Sequence, residues 1–364
     1  MRVTEVDPSS DHRWEEYVTA HPQGLIYHRA AWLHLLAGDY GGGSVNLLCE
    51  ADGDVLGILP LCATRRVPLG IGGAAGRARL VSLPRSPIAG PLISHDDAAI
   101  ALVRAALATS RAEGLRLQIK PPPGVTTVLD TLLGAVRGDT SYVLDLPAAG
   151  AELRFGNSRN HGAIRRAVAK AAKSGVEVRA AQDERDLRAW YPLYLEAMRR
   201  HVAPPRPYRF FRRMWQILKP PGMMELLLAE QQPARQTRHL LAGSIFLMSN
   251  QTVVFAFNGR REQELGVRPN DALHWHAIRE AQRRGFRRYD FGDVDDANPG
   301  LAQFKLKWGA VPQRLYQYHD PPIEESPART ANIAAPATRI ARASWQKLPL
   351  TVTARVGDVL YRYI

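Results

Sequence analysis

Hydrophobic and polar positions along this chain repeat one arrangement twice. In the first half, residues 44–50 and 54–62 are short apolar, strand-like runs. Between them stands Asp52-Gly53, a dipeptide suited to the positive φ angles of a tight hairpin. Helical periodicity then runs from Asp97 to Glu113, Gly114 ends it, and residues 115–119 alternate sides as a strand. In the second half, residues 224–229, 240–247 and 252–257 are predicted strands, with Ser249-Asn250 as the turn between the last two. A helix is predicted from Asn270, as its N-cap, to Arg284. Gly285 stops it, and residues 286–291 form a strand. Aligned on Gly114 and Gly285, both halves read helix, glycine, alternating strand.

Strands, then a helix, then a strand is the core order of an N-acetyltransferase-type acyltransferase. The expected fold class is therefore α/β (α+β), with two tandem GNAT-like acyl-CoA N-acyltransferase-type domains and a C-terminal helical tail. The first domain is assigned to 1–150, the second to 151–320, and a linker and tail to 321–364. In the tail, residues 321–327 read as linker, 328–347 as an amphipathic helix interrupted around Trp345–Leu350, and 352–364 as a short apolar-basic helix. A basic inter-domain helix is expected over 160–175, with Asn160 as N-cap and Gly175 as its stop. Ala163, Ile164, Ala167, Val168, Ala171 and Ala172 share one face of it. Arg165, Arg166, Lys170 and Lys173 crowd the other, and Arg159 precedes them. Between Arg154 and Arg179 there are seven basic residues and one acidic, Glu177. That imbalance fits either a solvated helix face or a surface that contacts a phosphate backbone.

Charge extends the second reading to the whole chain. Over 364 residues, 48 basic and 35 acidic side chains leave +13, which suits an anionic partner or, more simply, an arginine-rich proteome. No stretch reaches the roughly 18 apolar residues of a membrane span. The N-terminus lacks the apolar run of a signal peptide, so a cytoplasmic location is expected. Cys49 and Cys62 lie in apolar strand-like runs and read as small buried hydrophobes. The eleven histidines show no zinc-type spacing; His274 and His276 do not share a helix face. Neither metal nor cofactor is expected.

The densest chemistry lies in residues 289–309. Asp290 stands at the end of a predicted strand, and a Gly- and Asp-rich loop follows. Then come Phe304-Lys305 and a second strand. A lysine beside an aromatic ring near a strand end is suited to holding a developing negative charge next to a planar group. There is no Gly-x-Ser-x-Gly elbow and no Cys–His pair, so a nucleophilic enzyme residue is not expected.

With that run, several segments resemble the Fem-type (FemAB/FemX-like) aminoacyltransferases of peptidoglycan cross-bridge formation. They are residues 27–32 with Trp32, 82–91, the basic helix, 268–275, and 289–292 through 304–309. The tail is similar to a subgroup associated with exopolysaccharide and exosortase loci. The resemblance implies two tandem acyltransferase domains. It also implies an aminoacyl-tRNA donor and an acceptor amine on a peptidoglycan-type envelope precursor. The tail, short and basic with Trp and Tyr, is itself read as packing across the two domains, with peripheral association at the inner membrane face as the alternative. By the same resemblance Lys305 supports the transferred carbonyl and Phe304 positions the tRNA end. The sequence departs from the family at Leu35-Leu36, where a phosphate-contacting lysine is expected for a nucleotide-linked acceptor.

Asp290 is read as orienting the amine or a lysine, or as a buried strand-end carboxylate. Asn258, Arg268 and Asn270 flank the second helix start, where anions bind, though Asn270 also serves as a plain cap. Arg85 and Ser86 are their first-half counterparts, or simply a structural turn. His201 precedes a Pro-rich loop, as a cleft residue or a structural one. The rival chemistry is acyl-CoA-dependent N-acylation. Against it, residues 264–270 keep one glycine, and Pro269 removes an N–H that a pyrophosphate cradle needs. A non-catalytic tandem-domain binding protein is the third reading.

Overall fold

The computed structural model describes residues 1–37, 43–66, 78–231, 239–323, 336–361 and 363, with backbone alone for 336–341. Part of the expected linker (324–327) and the start of the tail helix (328–335) lie outside them. The chain divides into two units: Met1–Thr140 with Gln313–Pro327 and Leu360–Ile364, and Ser141–Pro312 with Ala328–Val359.

In the first unit, β1 (Arg2–Glu5), β2 (Ser44–Ala51), β3 (Asp54–Ala63), β4 (Arg79–Val81) and β6 (Arg116–Ile119) are neighbours in that order. The short β5 (Leu92–Ile93) pairs with β3. The β2–β3 hairpin turns through Asp52 and Gly53, both at positive φ, as the dipeptide predicts. Two strands run between the units along the chain. β7 (Gly134–Asp145) leaves the first unit at Thr140, and β13 (Val311–Asp320) enters it at Gln313 to pair antiparallel with β6. Around the sheet lie α1 (His12–Ala20), α2 (Ala30–Ala37), α3 (Asp96–Ala112) and the single turn α4 (Thr126–Leu129). The core forms where α3 lays Ala98, Leu102, Val103 and Ala106 on Leu59, Leu80, Leu117 and Tyr318. Cys49 and Cys62 are buried free thiols, and burial pushes Cys62 up to about 12. They act as small apolar side chains.

The second unit contains α5 (Ser158–Lys173), β8 (Val176–Ala180), α6 (Glu184–His201) and α7 (Tyr208–Leu218). They are followed by β9 (Met224–Gln231), β10 (His239–Ser249), β11 (Thr252–Arg260), α8 (Pro269–Arg283), β12 (Arg288–Val294) and α9 (Pro299–Lys307). Its strands are ordered β7-β12-β11-β10-β9-β8. α8 buries Leu273, Ala277, Ile278 and Ala281 against Phe246, Tyr289 and Phe291. α6 and α7 contribute an aromatic cluster of Trp190, Tyr194, Phe210 and Phe211, in which the Trp190 indole N–H donates to the Gly243 carbonyl at 2.8 Å. The tail forms α10 (Pro336–Lys347) and α11 (Leu350–Leu360), broken at Leu348-Pro349. It is tied down by the Arg209–Asp358 ion pair and by Arg199 on the Leu348 carbonyl.

Two helix starts differ from expectation, and one helix stands where a loop and a strand are expected. α5 begins before Asn160 because Asn157 has the extended backbone and the oxygen in reach, accepting from Asn160 N at 2.9 Å. α8 starts on Pro269, which needs no N–H in a first turn, so Arg268 at φ 61 is its cap and Asn270 lies inside. The Phe304-Lys305 pair lies on a helix, α9, capped by Asn298 through Leu301 N at 3.3 Å.

Arg179 joins β8, α6 and β9. Its guanidinium donates to Asp186 at 2.7 and 2.8 Å and to Glu230 at 2.8 and 2.9 Å. Arg179→Ala leaves two partly buried carboxylates facing each other and is expected to cost about 2 kcal/mol in urea unfolding. A midpoint equal to wild type would show that the network adds nothing.

Candidate active site

Strand alternation places the central carboxylate. On β12, Tyr289 and Phe291 enter the core under α8, so Asp290 between them faces the other way. β11 and β12 are parallel and pair over only three residues, the last being Val254 with Asp290. At this ladder end Asp290 is 6% exposed. Its Oδ1 accepts the Gly292 N–H at 2.7 Å and the Ser141 hydroxyl at 3.1 Å. Burial pushes its pKa up, the two hydrogen bonds and Lys305 oppose this, and Asp293 adds to the rise.

α9 brings Lys305 to the same place, 3% exposed. Its ammonium donates to the carbonyls of Gly292 at 2.8 Å and Asp293 at 3.1 Å, and stands 5.6 Å from the centroid of the Tyr142 ring. Burial pulls it down to about 8, with Asp293 and Asp290 holding it up. An ammonium has three N–H groups. Two are committed to backbone, which leaves one for an incoming oxygen.

Phe304 is half-buried, packed 5.4 Å from His274 and 6.4 Å from Trp308. His274 lies among Phe255, Phe291, Phe304 and Trp308, with Nδ1 2.8 Å from the Tyr289 hydroxyl. Burial and the two lysines bring its pKa to about 3, so it is a neutral core histidine.

A cavity of about 270 Å³ lies between α5, α9 and the start of α8, lined by Ala163, Arg166, Ala167, Lys170, Arg268 and Lys307. Lys307 pairs with the buried Asp271 at 3.1 Å. Arg166, Lys170 and Arg268 have no carboxylate partner among the described residues. Small alanines on one helix and cations from three elements make a concave, positively charged surface.

Of the residues expected from sequence, Asp290 and Lys305 are neighbours and Phe304 adjoins them. Arg166, Lys170 and Arg268 share the cavity. Arg159, Arg165 and Lys173 are exposed on α5 outside its lining. Asn270 is half-buried, its Oδ1 without a hydrogen bond among the described residues. Asn258 accepts from the Ser244 hydroxyl at 3.1 Å on β11. His201 ends α6 beside Arg200, which pairs with Glu262. Arg85 and Ser86 belong to the first unit; Arg85 stands over the Tyr361 ring and Ser86 is buried at 2% exposure. Ser141, Tyr142 and Lys307 carry no role in the sequence reading. For the first two, the alternation of Tyr142, Leu144 and Leu146 is the available signal.

Residues 158–306, which contain α5, the cavity lining short of Lys307, Asp290 and Lys305, match the family of acetyltransferase (GNAT) domains. This part of the chain is a GNAT domain. FemX has a similar structure, with a TM-score of 0.67 and 16% identity over 87% of this chain and 97% of FemX. The L-PGS of Bacillus licheniformis gives 0.56 and 10% identity, over 89% of this chain and 96% of that one. The C-terminal domain of a putative lysylphosphatidylglycerol synthetase from Agrobacterium fabrum gives 0.55 and 11%, over 85% and 90%. No protein of curated function matches the chain. The likeness spans both units, and each holds a parallel three-residue ladder followed by further strand. The fold is a tandem GNAT fold with a helical tail, the architecture of an acyltransferase.

Proposed function

We propose that the chain is a Fem-like aminoacyltransferase. It joins an aminoacyl group, carried as an ester on tRNA, to an amine on a cell-envelope precursor of the peptidoglycan type. The observation that carries this reading is the Lys305 ammonium, buried beside Asp290 with one N–H uncommitted. Aminolysis of an activated ester needs an oxyanion donor and a proton acceptor, and no enzyme nucleophile. The acceptor nitrogen attacks the ester carbon, and the oxyanion forms against Lys305. Asp290, whose Oδ1 already accepts two hydrogen bonds, takes the amine proton on Oδ2. The C–O bond to the ribose then breaks, and that proton passes to the leaving oxygen.

The cationic cavity supports a polyanionic donor. Arg166, Lys170 and Arg268 offer side-chain charges, while Pro269 and the left-handed Arg268 leave few backbone N–H groups for a pyrophosphate. The acetyltransferase domain match favours acyl-CoA as the second reading. The two separate in a competition experiment with a labelled aminoacyl-tRNA acceptor minihelix and free CoA. Salt-sensitive minihelix binding that CoA does not displace is expected. Arg166→Ala with Lys170→Ala is expected to lower the slope of log affinity against log salt by about 1.5. CoA binding with no minihelix binding would replace the proposal by acyl-CoA chemistry.

A further inference from the structure

The first unit repeats the ladder on which Asp290 stands. β4 and β6 are parallel over three pairs, Arg79–Arg116, Leu80–Leu117 and Val81–Gln118. Gln118 closes this ladder as Asp290 closes the other. It also faces the same way, because its neighbours Leu117 and Ile119 enter the core under α3 as Tyr289 and Phe291 do under α8. The position that carries a carboxylate in the second unit carries an amide in the first.

The groups around Gln118 differ in kind as well. Arg79 stands beside Arg116 in the ladder, and His319 lies opposite Gln118 on β13. An Arg79 Nη1–H donates to Gln118 Oε1 at 3.1 Å, and Gln118 Nε2 donates to Gln317 Oε1 at 2.8 Å. Each amide oxygen already accepts one of these hydrogen bonds. The charged groups left over are donors, the remaining N–H groups of the two arginines, and the Gln317 amide N–H stands beside them. Among the described residues, Arg79 Nε is buried without a hydrogen bond and Arg116 makes one long contact, 3.4 Å, to the Pro321 carbonyl. Among the described residues neither arginine pairs with a carboxylate. The charge felt by Arg79 is that of Arg116, and His319 feels Arg79 and Arg116. Asp320 alternates to the opposite face and pairs with Arg111 at 3.6 Å.

Adjacent strands lie about 4.8 Å apart, so guanidiniums at paired positions are within reach of one tetrahedral oxyanion. Half-buried, uncompensated arginines are costly alone and are relieved by a multiply charged acceptor. We propose that the Arg79–Arg116–Gln317 face of the first unit is a phosphate-binding site. With Gln118 in place of a carboxylate, it holds its ligand without reacting with it.

The test is a titration of the full chain with inorganic pyrophosphate, read at the His319 ring by NMR. A saturable shift is expected. It should survive Arg166→Ala with Lys170→Ala, which removes the other cationic surface. It should weaken at least tenfold in Arg79→Ala with Arg116→Ala. Gln317→Glu supplies an internal carboxylate to the same arginines and should abolish binding without emptying the site, so it serves if the double variant misfolds. No shift up to about 10 mM, or unchanged affinity in Gln317→Glu, would overturn the proposal. A second arm uses phosphatidylcholine vesicles containing phosphatidic acid. Co-sedimentation lost in Gln317→Glu assigns a lipid-borne phosphate; pyrophosphate binding without co-sedimentation assigns a soluble one.

Discussion

Lys305→Ala is expected to lower turnover by a factor of about 10²–10³, the range for loss of one preorganised oxyanion donor. Donor affinity should change little, because the cavity cations lie elsewhere on α5, α8 and α9. The pH profile makes the assignment specific. Burial holds Lys305 at about 8, and the ammonium is the acting form. Wild-type turnover should therefore fall about tenfold per pH unit above that value, a limb absent from the alanine variant. On the acid side, turnover should rise as Asp290 ionises, above the ordinary carboxylate range, and Asp290→Asn should remove that limb. Stability moves in the opposite direction to activity. The folded lysine releases its proton before the unfolded one, so the fold gains stability as pH rises from about 8 to the ordinary lysine value of 10.5. Melting curves of wild type and Lys305→Ala across that window should diverge. A wild-type rate in the variant would remove Lys305 from the mechanism.

The largest stability effect is expected at Gly309. It sits at φ +84 at the end of α9, and a Cβ there would lie 2.6 Å from the backbone nitrogen of Gly156. Both positions are glycines, so no flexible side chain can move aside. The contact holds the segment leading into α5 against α9, with Phe155 fully buried 5.1 Å from Trp308 and 5.7 Å from Trp275. Gly309→Ala combines backbone strain with a displaced aromatic cluster and should cost about 3 kcal/mol or more. For a unit of this size that is a fall in Tm of roughly 6–12 °C. A melt within about 2 °C of wild type would mean that the two segments separate freely.

The repeat of helix, glycine and strand is legible because Gly114 and Gly285 both take the positive φ that ends a helix, and the strands after them alternate cleanly. Asp290 and Lys305 are legible because thirteen-residue neighbours such as Gly292 and Lys305 close one local loop. Ser141 is not, since it reaches Asp290 across 149 residues. Pattern within a window carries no information on such pairings. The helix under Phe304 was signalled by Asn298-Pro299, but the neighbouring Gly and Asp residues read equally as loop. Asn157 caps α5 in place of the expected Asn160 because the chain is still extended there, a backbone property that residue type does not carry.

The return of β13 to the first unit has a consequence for synthesis. Gln118 and Gln317 meet on neighbouring strands although 199 positions separate them, and the second unit lies between them in the chain. A ribosome therefore delivers all of Ser141–Pro312 before β6 receives its outer neighbour. Until then the nascent first unit carries an open strand edge flanked by Leu117 and Ile119, a hazard for aggregation. An expression fragment that stops before β13 keeps that edge for good, and a circular permutant that starts at β13 and runs into β1 shortens the wait.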